Sequence, residues 1–161
     1  MSAPTVRVLR VTDDAMLRRA LALRHDVFVR EQGVPIELEH DADDDAPTTT
    51  HVLACGSDDE VLGTGRLLAD PDRPGVVHVG RIAVAASARG LGVGAVLMAA
   101  LEGLALADHG VPDGERLTVR VELAAQERAV GFYARLGYAV ADEVFLDAGI
   151  RHREAVRVLT I

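Results

Sequence analysis

The chain has 161 residues, 49% of them hydrophobic, with a formal net charge of −8 and one cysteine. That length suits one two-layer core, so a single domain over residues 1–161 is expected. The acidic balance argues against a nucleic-acid partner, whose binders present a basic face. No apolar run approaches the ~20 residues a membrane span needs, and Met1-Ser2-Ala3-Pro4 opens no signal peptide. Cys55 lies inside the apolar run His51-Val52-Leu53-Ala54-Cys55, which reads as a small buried residue rather than a nucleophile. Without an internal disulfide, the chain fits a reducing cytoplasm.

In chain order, residues 5–11 alternate like a first strand. Thr12-Asp13-Asp14 reads as a helix start, an N-cap hydroxyl followed by acidic residues that suit the helix dipole. The helix continues as an apolar stripe through Met16, Leu17, Ala20, Leu21, Leu23, Arg24 and Val27. Arg24 is expected at the surface or in a salt bridge. Residues 31–45 are strongly acidic and read as a solvated loop of self-repelling charge. The sharper alternative is the flank of an acceptor pocket that attracts a cationic amine. This stretch lacks calcium-loop spacing, and the histidines lack zinc-ligand spacing, so no metal site is expected. Residues 48–56 and 61–68 form a hairpin around the polar turn 57–60, and 71–75 is a proline-rich loop.

The centre of the chain is a strand from His78 to Val84, the turn Arg89-Gly90-Leu91-Gly92-Val93-Gly94, and a helical run over 95–107. Strand, glycine turn and helix in that order form an anion-binding device. The glycines let backbone approach a ligand, and the helix's first amides have no internal partner. A Walker loop needs a lysine, and the chain contains none. Gly90-x-Gly92-x-x-Ala95 fits the dinucleotide fingerprint, but too little chain follows for that fold. A plain structural turn would use the same glycines. Downstream come a break at 108–115, an alternating strand at 117–123, and a short helix at 126–136 closed by Gly137. Residues 138–145 and 154–161 pair as a terminal hairpin across 147–152. Long apolar edge strands there point to a homodimer.

Arg89-x-x-Gly92-x-Gly94 resembles the R/Q-x-x-G-x-G/A signature of the GNAT N-acetyltransferases. Gly80-Arg81-Ile82-Ala83-Val84 is similar to that family's fourth strand, and 126–138, QERAVGFYARLGY, to its late helix and strand. Residues 23–35, LRHDVFVREQGVP, resemble the opening of the ElaA/YjcF-like branch, and Gly149-Ile150-Arg151-His152 echoes its ending. The resemblance implies an α/β fold with a mixed, mainly antiparallel twisted sheet, splayed at the fourth and fifth strands and flanked by helices. It implies acetyl-CoA as co-substrate, its pyrophosphate on Arg89, Gly90, Leu91, Gly92, Val93, Gly94 and Ala95. The pantetheine arm would lie along the backbone of Ile82, Ala83 and Val84, where a bulge leaves groups unpaired. Gln126 would contact this co-substrate or cap its helix; Phe132 would line the site or join the core. Tyr133 matches the family's general acid. Glu122, His78 and His152 are candidate bases, unless ordered water removes the proton.

The implied activity is acetyl transfer to a primary amine of a small molecule or peptide, by direct attack in a ternary complex. A non-catalytic acyl-CoA sensor or interaction module is the alternative. Arg151 and Ala155 stand where the branch has proline and methionine, so these residues leave the acceptor unspecified.

Overall fold

The computed structural model describes residues 5–161; the Met1-Ser2-Ala3-Pro4 opening lies outside the described residues. The elements in order are β1 (Arg7–Arg10), α1 (Asp14–Arg24), a π-helical stretch (His25–Glu31), α2 (Ile36–Glu39) and a 3₁₀ turn (Ala42–Asp45). Then follow β2 (Thr50–Cys55), β3 (Val61–Ala69), β4 (Val76–Val84), a 3₁₀ turn (Ala86–Ala88) and α3 (Val93–His109). The chain ends with β5 (Val111–Asp113), β6 (Arg116–Gln126), a 3₁₀ turn (Glu127–Ala129), α4 (Val130–Arg135), β7 (Ala139–Val140), β8 (Phe145–Asp147) and β9 (Ile150–Thr160). Two compact units arise, one from the residues up to Leu67 with Arg81–Leu101, the other from Leu68–Gly80 with Glu102–Ile161.

In the first unit β1, β2 and β3 form an antiparallel meander, Arg7 opposite Cys55 and Thr50 opposite Leu67. One apolar cluster joins Ala20 of α1 to Leu53 and Cys55 of β2; another joins Leu23 and Val27 to Ala83 of β4. Gly63 of β3 permits close packing. A Cβ there would lie 2.7 Å from Leu97 Cδ1, 3.1 Å from Val93 Cγ1 and 3.1 Å from the Ala83 carbonyl oxygen.

In the second unit β6 pairs in parallel with β4 (Val76 opposite Arg120, Val79 opposite Leu123) and antiparallel with β9 from Thr118 to Gln126. The period of two is clean on β6: Val119, Val121 and Leu123 are buried, and Arg120 and Glu122 share the opposite face. The β4–β6 ladder stops at Val79 opposite Leu123, although both strands run further. This is the expected mixed, mainly antiparallel sheet with its splay. Glu102 of α3 accepts from the Tyr138 hydroxyl at 2.8 Å and pairs with Arg157 Nη1 at 3.1 Å.

Several local expectations are corrected. Asp13, not Thr12, caps α1, its Oδ1 accepting from the Met16 amide at 2.8 Å. The α-helix ends at Arg24 and continues as a π-helix, so Val27 still faces the core. α3 starts at Val93, not Ala95, and β4 starts at Val76, not His78. The terminal turn is far tighter than residues 147–152. Asp147 pairs directly with Ile150 across Ala148 and Gly149, both at positive φ, a two-residue hairpin. The largest correction concerns the acidic stretch 31–45, expected as a solvated loop: Glu37, Asp43 and Asp45 are exposed, but two of its carboxylates are not. Glu39 and Asp44 are buried, and Arg24, itself 1% exposed, donates to Glu39 Oε1 at 2.6 Å and Asp44 Oδ1 at 2.6 Å. Arg66 Nη1 donates to Asp41 Oδ1 at 2.8 Å and Asp44 Oδ1 at 3.0 Å. The arginines come from α1 and β3, so a local charge count could not reveal the pairing.

Candidate active site

In the first unit, β4 carries an irregularity. Arg81 has φ +53°, in the left-handed region that side chains with a Cβ rarely occupy, directly after Gly80. The strand then leads through Ile82, Ala83 and Val84. The Ala83 side chain is packed in the core beside Leu23 and Val27. Arg89 Nε donates to the Val84 carbonyl at 3.2 Å, and its Nη2 meets Glu31 Oε2 at 2.7 Å. Gly90 (φ +79°) and Gly92 (φ +85°) bend the turn, and a Cβ at either would meet nothing within 4 Å. Their outer faces are therefore open. Val93, 1% exposed, anchors the start of α3, while Leu91 stands out at 49%. The first helical bond runs from the Val96 amide to the Gly92 carbonyl at 3.2 Å. The amides of Val93, Gly94 and Ala95 precede it and have no acceptor within the helix. An open glycine face with free amides at the positive end of a helix of 17 residues suits a diphosphate.

In the second unit, Tyr133 of α4 is 8% exposed and makes edge contacts with Phe132 (5.0 Å between centroids) and Tyr138 (5.8 Å). Burial alone pushes its phenol up to about 12. His78 and Glu122, opposite each other across the β4–β6 ladder, are brought together with residues not singled out from sequence. His78 Nε2 lies 2.7 Å from Asp70 Oδ2, and its Nδ1 lies 3.9 Å from Glu122 Oε1. The hydrogen bond from His78, then the Asp72 amide and Arg73, holds the Asp70 carboxyl well below the usual carboxylate range. An ionised Asp70 can only accept, so His78 Nε2 carries the hydrogen of that bond, and a neutral ring would keep its lone pair on Nδ1. Glu122 accepts from Arg73 Nη2 at 2.7 Å and from Arg120 Nε at 2.6 Å, and the Arg73 bond leads in holding its pKa below normal.

His152 is held elsewhere, four residues further along the β6 ladder, opposite Gln126. Its Nδ1 donates to the Ile150 carbonyl at 2.7 Å, its ring stacks on Phe145, and it is 8% exposed. Gln126 ends β6 and makes no side-chain capping bond; its Oε1 instead accepts from Arg128 Nε at 3.1 Å, so the capping alternative is withdrawn. Asp70, Arg73 and Arg120 escaped the sequence reading because the β3–β4 connection brings Asp70 to His78, and Arg73 meets Glu122 only across 49 residues. The left-handed Arg81 had one signal, its place after a glycine within a strand pattern.

The model of the acetyltransferase (GNAT) family matches residues 16–138. The uncharacterized N-acetyltransferase YjcF of Bacillus subtilis is 36% identical over 146 residues, 90% of this chain and 94% of that protein. Protein ElaA of Escherichia coli is 33% identical over 138 residues, 86% of this chain and 84% of its own. The ElaA crystal structure aligns with a TM-score of 0.80, covering 95% of this chain and 99% of that one. A crystal structure of an acyl-CoA N-acyltransferase from Pseudomonas aeruginosa, 30% identical, gives a TM-score of 0.77 and covers 95% and 99%.

Proposed function

Because the chain belongs to the GNAT acetyltransferase family, an acyltransferase family whose co-substrate is acetyl-CoA, we propose that it moves the acetyl group to a primary amine of a small molecule or peptide in a ternary complex. The observation that carries this reading is the open turn Gly90–Gly92 at the mouth of α3, whose unpaired amides suit the diphosphate. Arg89 braces that turn through Val84, Leu91 flanks it, and the backbone of Ile82–Val84 takes the pantetheine arm. The family model spans parts of both units, which supports reading them as one domain. The lone buried Cys55, its thiol pushed up by burial, fits a cytoplasmic setting. Homodimerisation is proposed along β9 beyond its β7 partners, where Val158 and Ile161 are exposed; light scattering would then give twice 17.1 kDa.

Acetyl-CoA supplies a thioester, whose C–S bond breaks as the amine nitrogen forms the new C–N bond. Among the candidate bases, His78 is favoured. It is part-exposed, its Nδ1 lone pair is fixed by Asp70, and it stands beside the Glu122 carboxylate, which draws a cationic amine toward it. Glu122 itself is a poor base, since two arginines stabilise its charge. His152 offers its remaining nitrogen from a buried, stacked ring. Tyr133 serves the departing sulfur. A phenol held at about 12 lies well above a thiol near ~8.5, so it donates a hydrogen bond rather than surrendering its proton. The proton taken by His78 returns to the thiolate through solvent.

Thiol release from acetyl-CoA over a panel of polyamines, amino sugars, antibiotics and peptide N-termini tests the reading. At least one amine is expected to turn over, and Gly92→Glu is expected to abolish the heat of acetyl-CoA binding. A folded protein that binds acetyl-CoA yet releases no thiol with any amine would instead support a sensor.

A further inference from the structure

Two arginines of the first unit reach residues 31–41. Arg89 pairs with Glu31, but that contact is half-exposed, and such pairs hold little. Arg81 is different. Its Nε donates to the Glu39 carbonyl at 3.1 Å, and its Nη2 donates to the Leu38 carbonyl and to Asp41 Oδ2, each at 3.3 Å. The segment it grips is itself locked. Glu39 and Asp44 hold the buried Arg24, and Asp41 and Asp44 hold Arg66. Arg81 thus bridges a rigid base of buried ion pairs and the strand segment Ile82–Val84.

The backbone of Arg81 gives this bridge a purpose. At φ +53° an arginine is disfavoured where glycine would be at ease, and nothing in strand formation asks for that conformation. Three bonds from the guanidinium fork to a fixed platform hold it there.

We propose that Arg81 is a positioning residue for acetyl transfer: anchored on residues 38–41, its guanidinium fixes the left-handed turn that aims the Ile82–Val84 backbone at the pantetheine arm of acetyl-CoA. This rests on the reading of that backbone as the binding strand for the arm. The acidic stretch therefore acts as a foundation for the co-substrate site.

Calorimetry with two probes tests it: acetyl-CoA, and 3′-phospho-ADP, which carries the nucleotide and diphosphate but no pantetheine. Arg81→Gly keeps the backbone conformation accessible and removes the anchor. It is expected to weaken acetyl-CoA by about tenfold or more while leaving 3′-phospho-ADP within about twofold. Arg81→Lys, a point charge without the fork, is expected to fall between wild type and Arg81→Gly for acetyl-CoA, and serves alone should the glycine variant not fold. Equal losses for both probes, or no loss for either, would overturn the proposal and leave the arginine merely structural. If the wild-type protein binds acetyl-CoA no better than 3′-phospho-ADP, the reading of β4 as the binding strand fails first, and the proposal with it.

Discussion

Arg24 shows how much one residue can hold. Burial works against its charge, but bonds to Asp44 and Glu39 outweigh that cost and lift its pKa above the ordinary arginine value. Removing it leaves two buried carboxylates facing each other across the gap. Arg24→Met keeps the volume and removes the charge, so about 3–5 kcal/mol of stability should be lost, read as a fall in the urea midpoint. A loss below about 1 kcal/mol would mean that Arg66 alone satisfies the cluster. His78 is the base we propose. Its Nε2 is engaged by Asp70, which leaves Nδ1 as the nitrogen that would take a proton. His78→Gln should therefore lower kcat/KM by about a hundredfold while acetyl-CoA affinity stays put. Unchanged turnover would return the proton to His152 or to water.

At the scale of elements, α3 and β4 meet over Gly63 of β3. A methyl group there has no room: it would press on the Leu97 side chain, which can shift, and on the Ala83 carbonyl and Val93, which belong to the proposed cradle. Gly63→Ala should cost about 1–3 kcal/mol by overpacking, measured by thermal unfolding, and weaken acetyl-CoA binding alongside. Stability lost with affinity intact would show that the strain dissipates through Leu97. This contact also marks the limit of what the sequence made legible. The strands announced themselves by alternation, as in Val119, Val121 and Leu123 of β6, and the turn before α3 by its glycines and the helix behind them. What stayed hidden depends on partners distant in the chain. Glu39, Asp41 and Asp44 look solvated until Arg24 and Arg66 arrive from α1 and β3, and Asp70 looks like turn chemistry until β4 brings His78 to it. Helix identity was clear while its cap was not, because Thr12 and Asp13 both fit an N-cap.

For the whole molecule the buried charges set a pH dependence whose sign follows from two groups. His51 is buried with its Nε2 against the Asp44 carbonyl; burial first of all pulls its pKa below the ordinary ~6.5, against the bond to Asp44 that raises it. Below about pH 6.5 the unfolded chain takes up a proton that the folded histidine refuses, so stability falls as the pH drops, by at most about 1.4 kcal/mol per unit. Asp44 acts lower on the scale. Burial raises its pKa, but Arg24, the Asp41 amide and Arg66 together hold it far below an ordinary carboxylate. Its stabilisation is complete above about pH 4 and is lost as the pH falls toward that depressed value. Urea denaturation from pH 8 to pH 3 should therefore show a plateau, a first decline setting in near about pH 6.5, and a second, steeper one below about pH 4. His51→Gln keeps a donor for the Asp44 carbonyl but cannot titrate, so it should erase the first decline and keep the second. Were the variant to retain the full slope between pH 6.5 and pH 4.5, the neutral buried imidazole would not be its source.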